Sequence, residues 1–152
     1  MKAKSILLML IALPFLMSCN NEDDVNTIFC SGTWHLLNMY TTSEWNKENI
    51  TDSKPVYSPT NGLAELQGFT ILFKQDGSFA AGANGVSLSG TWTADGKSRK
   101  ITISYTGQAT GSTLAKVYFE ALKNGAYYRG TDKVLQIAPQ EKNTFMQFKH
   151  NN

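Results

Sequence analysis

Short runs of alternating apolar and polar residues, separated by turn residues, fill the chain from about residue 31 to 149. The clearest spans Val86 to Thr93. Val86, Leu88 and Trp92 fall on one face, and Ser87, Ser89, Thr91 and Thr93 fall on the other. Lys100 to Thr106 repeats the design with Ile101, Ile103 and Tyr105 inward. A period of two means a strand with one dry face and one wet face. Asp95-Gly96 between these runs and Asp76-Gly77 after Phe69, Ile71 and Phe73 predict hairpin turns. Further runs at about 33–41, 79–81, 126–129, 133–137 and 144–149 bring the expected count to about eight strands. Runs this short and closely spaced predict a mainly β fold: a small antiparallel barrel or strongly curved sheet.

Two stretches break this rhythm. Leu114, Val117, Tyr118, Ala121 and Leu122 recur at helical spacing, and Ser112 or Thr113 can cap a helix that Asn124-Gly125 ends. The reading is a short helix near 113–123, with a strand pairing through Asn124-Gly125 as its rival. Residues 43–68 carry Pro55, Pro59, Asn61-Gly62 and the solitary Trp45. Connections this long are often functional. Either Trp45 and Tyr57 pack back onto the barrel rim, or the loop is a ligand lid or partner contact. Trp45, Tyr57 and Tyr127 are the candidate contact residues.

The first nineteen residues follow a different logic. Lys2 and Lys4 precede an apolar run from Ile6 to Met17, well short of the roughly 20 residues a spanning helix needs. This is the plan of a signal peptide covering 1–18, excluded from the fold. Its end, Leu16-Met17-Ser18-Cys19, resembles a bacterial lipobox. The resemblance implies cleavage before Cys19 and lipidation of its thiol. One acyl chain binds a membrane only marginally, whereas two or three hold. After Cys19, the acidic run Glu22, Asp23, Asp24 resembles the export signal of some Gram-negative surface lipoproteins; its plain alternative is a solvated tether. Residues 19–30 are thus expected to be a lipidated cysteine with a polar tether, and 31–150 a single domain.

Gly32-Thr33-Trp34 is similar to the Gly-x-Trp opening of lipocalin-like barrels, in which the Trp plugs one end. The longer order resembles the META domains and lipocalin-like domains of Gram-negative envelope lipoproteins: that tripeptide, Phe73 to Phe79, Gly90-Thr91-Trp92, Tyr127-Tyr128 and Phe145 to Phe148. Where META domains carry Gly-Cys-Asn, this chain reads Ala81 to Gly85. Lipocalins imply small apolar ligands; META domains imply a loose link to envelope stress and no known chemistry.

Composition adds exclusions. The 152-residue chain is 41% hydrophobic and 17% charged, too apolar for a disordered chain. Lys+Arg exceeds Asp+Glu by two, and removing Lys2 and Lys4 makes the mature chain formally neutral, which argues against nucleic acid. Lipidation of Cys19 leaves Cys30 without a partner; beside Ile28 and Phe29 it reads as a small buried hydrophobe. No nucleophile elbow, zinc motif or phosphate loop is present, and the histidines are only His35 and His150. No catalytic residue, metal ligand or cofactor is expected.

The resulting expectation is a non-enzymatic interaction or structural module, lipid-anchored at the outer membrane, on either its periplasmic or its cell-surface face. Its partners are the membrane, through the N-terminal lipid, and an envelope protein. The alternative is a lipocalin-like carrier of a small apolar ligand. Enclosed volume separates the two: Trp34, Phe69, Ile71, Phe73, Phe79, Leu88, Trp92, Ile103, Tyr105, Met146 and Phe148 predict a crowded interior, whereas a carrier needs about 300 Å³ or more.

Overall fold

The computed structural model describes residues 22–151; Cys19 and the leader lie outside them. Nine strands form one antiparallel sheet: β1 (Trp34–Thr42), β2 (Ser53–Pro55), β3 (Phe69–Phe73), β4 (Ser78–Ala83), β5 (Val86–Asp95), β6 (Lys100–Ser104), β7 (Gly125–Gly130), β8 (Val134–Pro139) and β9 (Thr144–Lys149). Strands β3 to β9 follow in chain order, and β1 pairs with both β3 and β9. Eight strands thus close into a barrel, and short β2 adds to one end of β1, Tyr40 facing Pro55. The expected eight-stranded barrel is present. β2 is the addition, in the stretch read as irregular; its residues, Ser-Lys-Pro, are all exposed and carry no alternation to detect.

The interior is filled. Trp34, Phe69, Ile71, Phe73, Phe79, Ile103 and Phe148 are each at most 2% exposed, and with Trp92, Tyr105 and Met146 they form one continuous core. Leu88 sits at its edge, half-buried.

Each barrel end has its own cover. The residues from Val25 on, placed by sequence in the tether, form the short helix α1 (Val25–Phe29), capped by the Asp24 carboxylate accepting from Thr27 N–H at 3.0 Å. Phe29 is fully buried, its ring 5.0 Å from Phe73, 5.1 Å from Trp92 and 4.8 Å from Tyr128. The folded body therefore starts before residue 31. The reason is that three apolar residues, Val25, Ile28 and Phe29, at helical spacing suffice to cover an open barrel end. Cys30 packs partly buried against the same core, and burial, then Asp76, raises its pKa. Trp34 donates its Nε1–H to the Phe29 carbonyl at 3.1 Å, and His150 stacks on the Trp34 ring at 3.9 Å.

At the opposite end lies α3 (Thr113–Lys123), the helix the periodicity predicts. Ser112 caps it, accepting from Ala115 N–H at 3.1 Å. Tyr118, Phe119 and Leu122 are fully buried, and Tyr118 O–H donates to the Thr70 carbonyl at 2.9 Å. The one-turn helix α2 (Leu63–Leu66) covers the same end through Leu66, 1% exposed. In the wall itself, β6 and β7 share a single paired position, Lys100 with Tyr127. Among the described residues no helix is long and apolar enough to cross a membrane.

Candidate functional site

Strand β1 carries a bulge between Leu36 and Asn38. The extra residue turns Leu37 out to solvent and lets Met39 face Met146 across the sheet. It also buries Asn38, which is 5% exposed. Asn38 Nδ2–H donates to the Tyr57 carbonyl at 2.8 Å, and its Oδ1 accepts from Met39 N–H at 2.8 Å and Tyr57 N–H at 3.2 Å. One amide side chain thus clamps the segment after β2 beside the barrel mouth.

Between that clamped segment and the outer flank of α3 lies an open groove of about 620 Å³. Met39, Ile137 and Met146 form its floor, Val56 and Tyr57 one wall, and Val117 and Ala121 the other. Lys116 and Glu120 of the same helix, with its C-cap Asn124, supply the polar rim. Spacing of three and four residues puts all of these α3 positions on one flank, while Ala115, Tyr118, Phe119 and Leu122 face the core. Val56 and Val117, 43% and 41% exposed, are two of three large apolar residues left open to solvent among the described residues, and both border this groove.

The three candidate contact residues do not converge. Tyr57 lines the groove, half-buried. Trp45 is 6% exposed and packs outside the barrel wall against Phe145 and Ala138, with Tyr40, Ile50 and Tyr127 around it. Trp45 and Tyr127 border a separate polar cleft. Trp45 packs back onto the barrel, but on the outer wall rather than the rim and without Tyr57, and loop 43–52 is tied down around it. The buried Glu44 carboxylate takes the Thr51 and Asp52 N–H groups at 2.8 and 2.7 Å, the Thr51 hydroxyl at 3.1 Å and the Lys47 ammonium. These contacts, Lys47 first, hold its pKa down to about 2.

Of the acidic run, Glu22 is exposed, Asp23 pairs with Arg99 at 3.1 Å and Asp24 caps α1. Asp23 N–H also donates to the Gly96 carbonyl at 3.2 Å, across a contact so close that a Cβ on Gly96 would lie 2.2 Å from the Asp23 oxygen. His35 lies on β1, and His150 bridges Ser31 at 2.9 Å and the Thr33 carbonyl at 2.8 Å. Among the described residues no three His, Cys, Asp or Glu side chains converge as metal ligands.

Asn38, Leu66 and Glu44 escape sequence reading. Nothing in the pattern marks the bulge that buries Asn38, and a lone Leu or Glu in an irregular stretch carries no period. The groove's α3 wall was not legible: the helical stripe places Val117 and Ala121 on the core face, whereas the structure turns both to the groove, leaves Val117 41% exposed and buries Ala115 and Phe119 instead.

A family model described as a domain of unknown function, DUF4847, matches residues 20–150. The chain belongs to the DUF4847 family. The fold is also similar to a crystal structure of a DUF4847 family protein from Bacteroides vulgatus ATCC 8482, at 36% identity and a TM-score of 0.72, covering 84% of this chain and 97% of that one. No curated protein matches. This member of DUF4847 therefore has an eight-stranded barrel and no activity attached to its family.

Proposed function

We propose that this DUF4847 protein is a non-enzymatic envelope protein, anchored by lipid on Cys19, whose domain binds a small apolar ligand at the α3 end of the barrel. The observation that carries the ligand reading is the groove. A filled interior leaves no room in the lumen, yet the rim holds about 620 Å³, inside the usual range for ligand pockets, with apolar floor and walls and few polar groups. This is the carrier reading moved from the lumen to the rim. By enclosed volume the filled interior favours the interaction-module reading, which claims the same surface.

The anchor reading is supported by the lipobox-like Leu16 to Cys19. Asp23 is fixed to Gly96 and Arg99. Four residue steps back to Cys19 reach at most about 14 Å. β1 alone, nine residues, spans about 30 Å between the two ends. An anchor at the α1 end would therefore direct the groove away from the membrane, toward ligands arriving from solution or from a partner. Outer-membrane placement, with Glu22, Asp23 and Asp24 as export signal, belongs to the same proposal.

The test is titration of the full chain with the neutral apolar fluorophore N-phenyl-1-naphthylamine. Saturable binding that falls at least about tenfold in Ala121→Trp, whose indole would fill the groove, supports the reading. Equal probe response in the wild type and in Ala121→Trp removes the groove from consideration.

A further inference from the structure

The apolar groove has a direction and a length. Thr113, Lys116, Val117, Glu120, Ala121 and Asn124 all line it, so it follows α3 from its first residue to its C-cap. At about 1.5 Å per residue that makes a trough roughly 16 Å long. Packing fixes both ends. At the first, Tyr57 and Leu114 close on Gly62, where a Cβ would lie 3.2 Å from the tyrosine ring and 2.8 Å from the leucine. At the other, Pro139 pairs with Gly125, the residue after the C-cap. Between them the floor holds Met39 and Met146, directly opposite each other on β1 and β9. Thioether side chains re-pack to fit what lies on them, which suits an occupant without one rigid shape.

The rim selects little by charge. Lys116 and Glu120 are its charged residues, exposed and of opposite sign. They stand four residues apart with the lysine first, the weaker order for a helical pair, and they are not among the ion pairs of the described residues. Glu120 instead accepts from the Tyr105 hydroxyl at 3.4 Å. An occupant therefore meets no net charge. The open side of the groove leaves part of any occupant in water, which a wholly apolar molecule would waste. A compact ring would leave most of the trough's length unfilled.

We propose that the ligand is a linear, single-chain amphiphile, its alkyl chain extended along α3 from Tyr57 to Pro139 and its head group in water at the open side. This rests on the ligand reading of the groove given above and names the class of ligand. Affinity comes from the chain. Each methylene laid in the groove removes apolar surface from water, until the chain is as long as the trough. The head contributes little, because an exposed ion pair at the rim is worth little.

The test is displacement of N-phenyl-1-naphthylamine from the full chain by octanoate, decanoate, laurate, myristate and palmitate, each below its micelle concentration. The half-displacement concentration is expected to fall about two- to fourfold per methylene through laurate and to level off by palmitate. Dodecyltrimethylammonium, with the chain of laurate and the opposite head charge, is expected within about fivefold of it. Asn124→Trp, which sets an indole at the far end of the trough, is expected to keep octanoate displacement and to bring the plateau to shorter chains. A merely structural effect would weaken every chain alike. No dependence on chain length, a rise undiminished through palmitate, a preference beyond about tenfold between the two heads, or an unmoved plateau in folded Asn124→Trp each overturns the proposal. In all four the probe still binds, so the groove reading survives. A probe that fails to bind the wild type overturns both. If Asn124→Trp unfolds, the wild-type series decides alone.

Discussion

Glu44 and Asn38 do at single positions what longer stretches of sequence do not. Each is a buried polar side chain whose hydrogen bonds go to backbone of an otherwise irregular segment, so each fixes a loop that no apolar periodicity holds. Glu44 has a folded pKa of about 2, below the ordinary glutamate value. A depressed carboxylate pKa stabilises the fold above its unfolded pKa, and that stabilisation is lost as pH falls toward 2. Protection factors of the Thr51 and Asp52 amides, the intrinsic rate at each pH divided by the measured one, are expected to fall over that acid range in the wild type and to be low already at neutral pH in Glu44→Ala. Unchanged exchange in the variant would show that the loop is held by something else. For Asn38→Ala, loss of the clamp on Tyr57 predicts destabilisation of about 1–3 kcal/mol by chemical denaturation, together with weaker probe binding in the groove. Trp92, 6% exposed and donating to the Lys74 carbonyl at 3.0 Å, belongs to the ordinary core, and Trp92→Ala is expected to cost about 3–5 kcal/mol in the same measurement.

At the scale of elements, the two caps of the barrel are built differently. α3 has a helical stripe, an N-cap and a lysine in its last turn, so local rules alone specify it. Removing the cap in Ser112→Ala is expected to cost about 1 kcal/mol, read by thermal or urea unfolding, and no change would mean that packing of Tyr118 and Phe119 alone sets the helix start. α1 is a single turn, too short to persist in isolation, and depends on the barrel it covers. Phe29→Ala is accordingly expected to cost as much as a core aromatic, about 3–5 kcal/mol, although the residue lies in a segment of polar composition. A loss below 1 kcal/mol would return residues 25–30 to the tether.

For the whole molecule, what matters is that the barrel has two unlike ends. The α1 end is sealed by Phe29 and Trp34 and receives the N-terminal segment; the α3 end keeps a groove because the helix covers only part of the mouth. Together with the proposed anchor, this predicts that Cys19→Ser moves the protein from the membrane fraction to the soluble fraction without changing probe binding. Retention of that variant in the membrane fraction would rule out the lipid anchor. Loss of probe binding on release would contradict a groove independent of the membrane.

Sequence alone determined the eight barrel strands, the hairpins at Asp76-Gly77 and Asp95-Gly96 and most of the aromatic core, and favoured the helix at 113–123 over a strand, since each is written as a local period or a turn residue that neighbours in the chain enforce. Only the tertiary structure decided where the barrel closes, that Val25 to Phe29 belong to it, and that Trp45 and Tyr57 part company. The groove is likewise its doing, for it joins residues from strands, loops and a helix far apart in sequence. Such juxtapositions depend on β1 pairing with β9 and on one bulged residue at Asn38, and neither leaves a periodic mark in the chain.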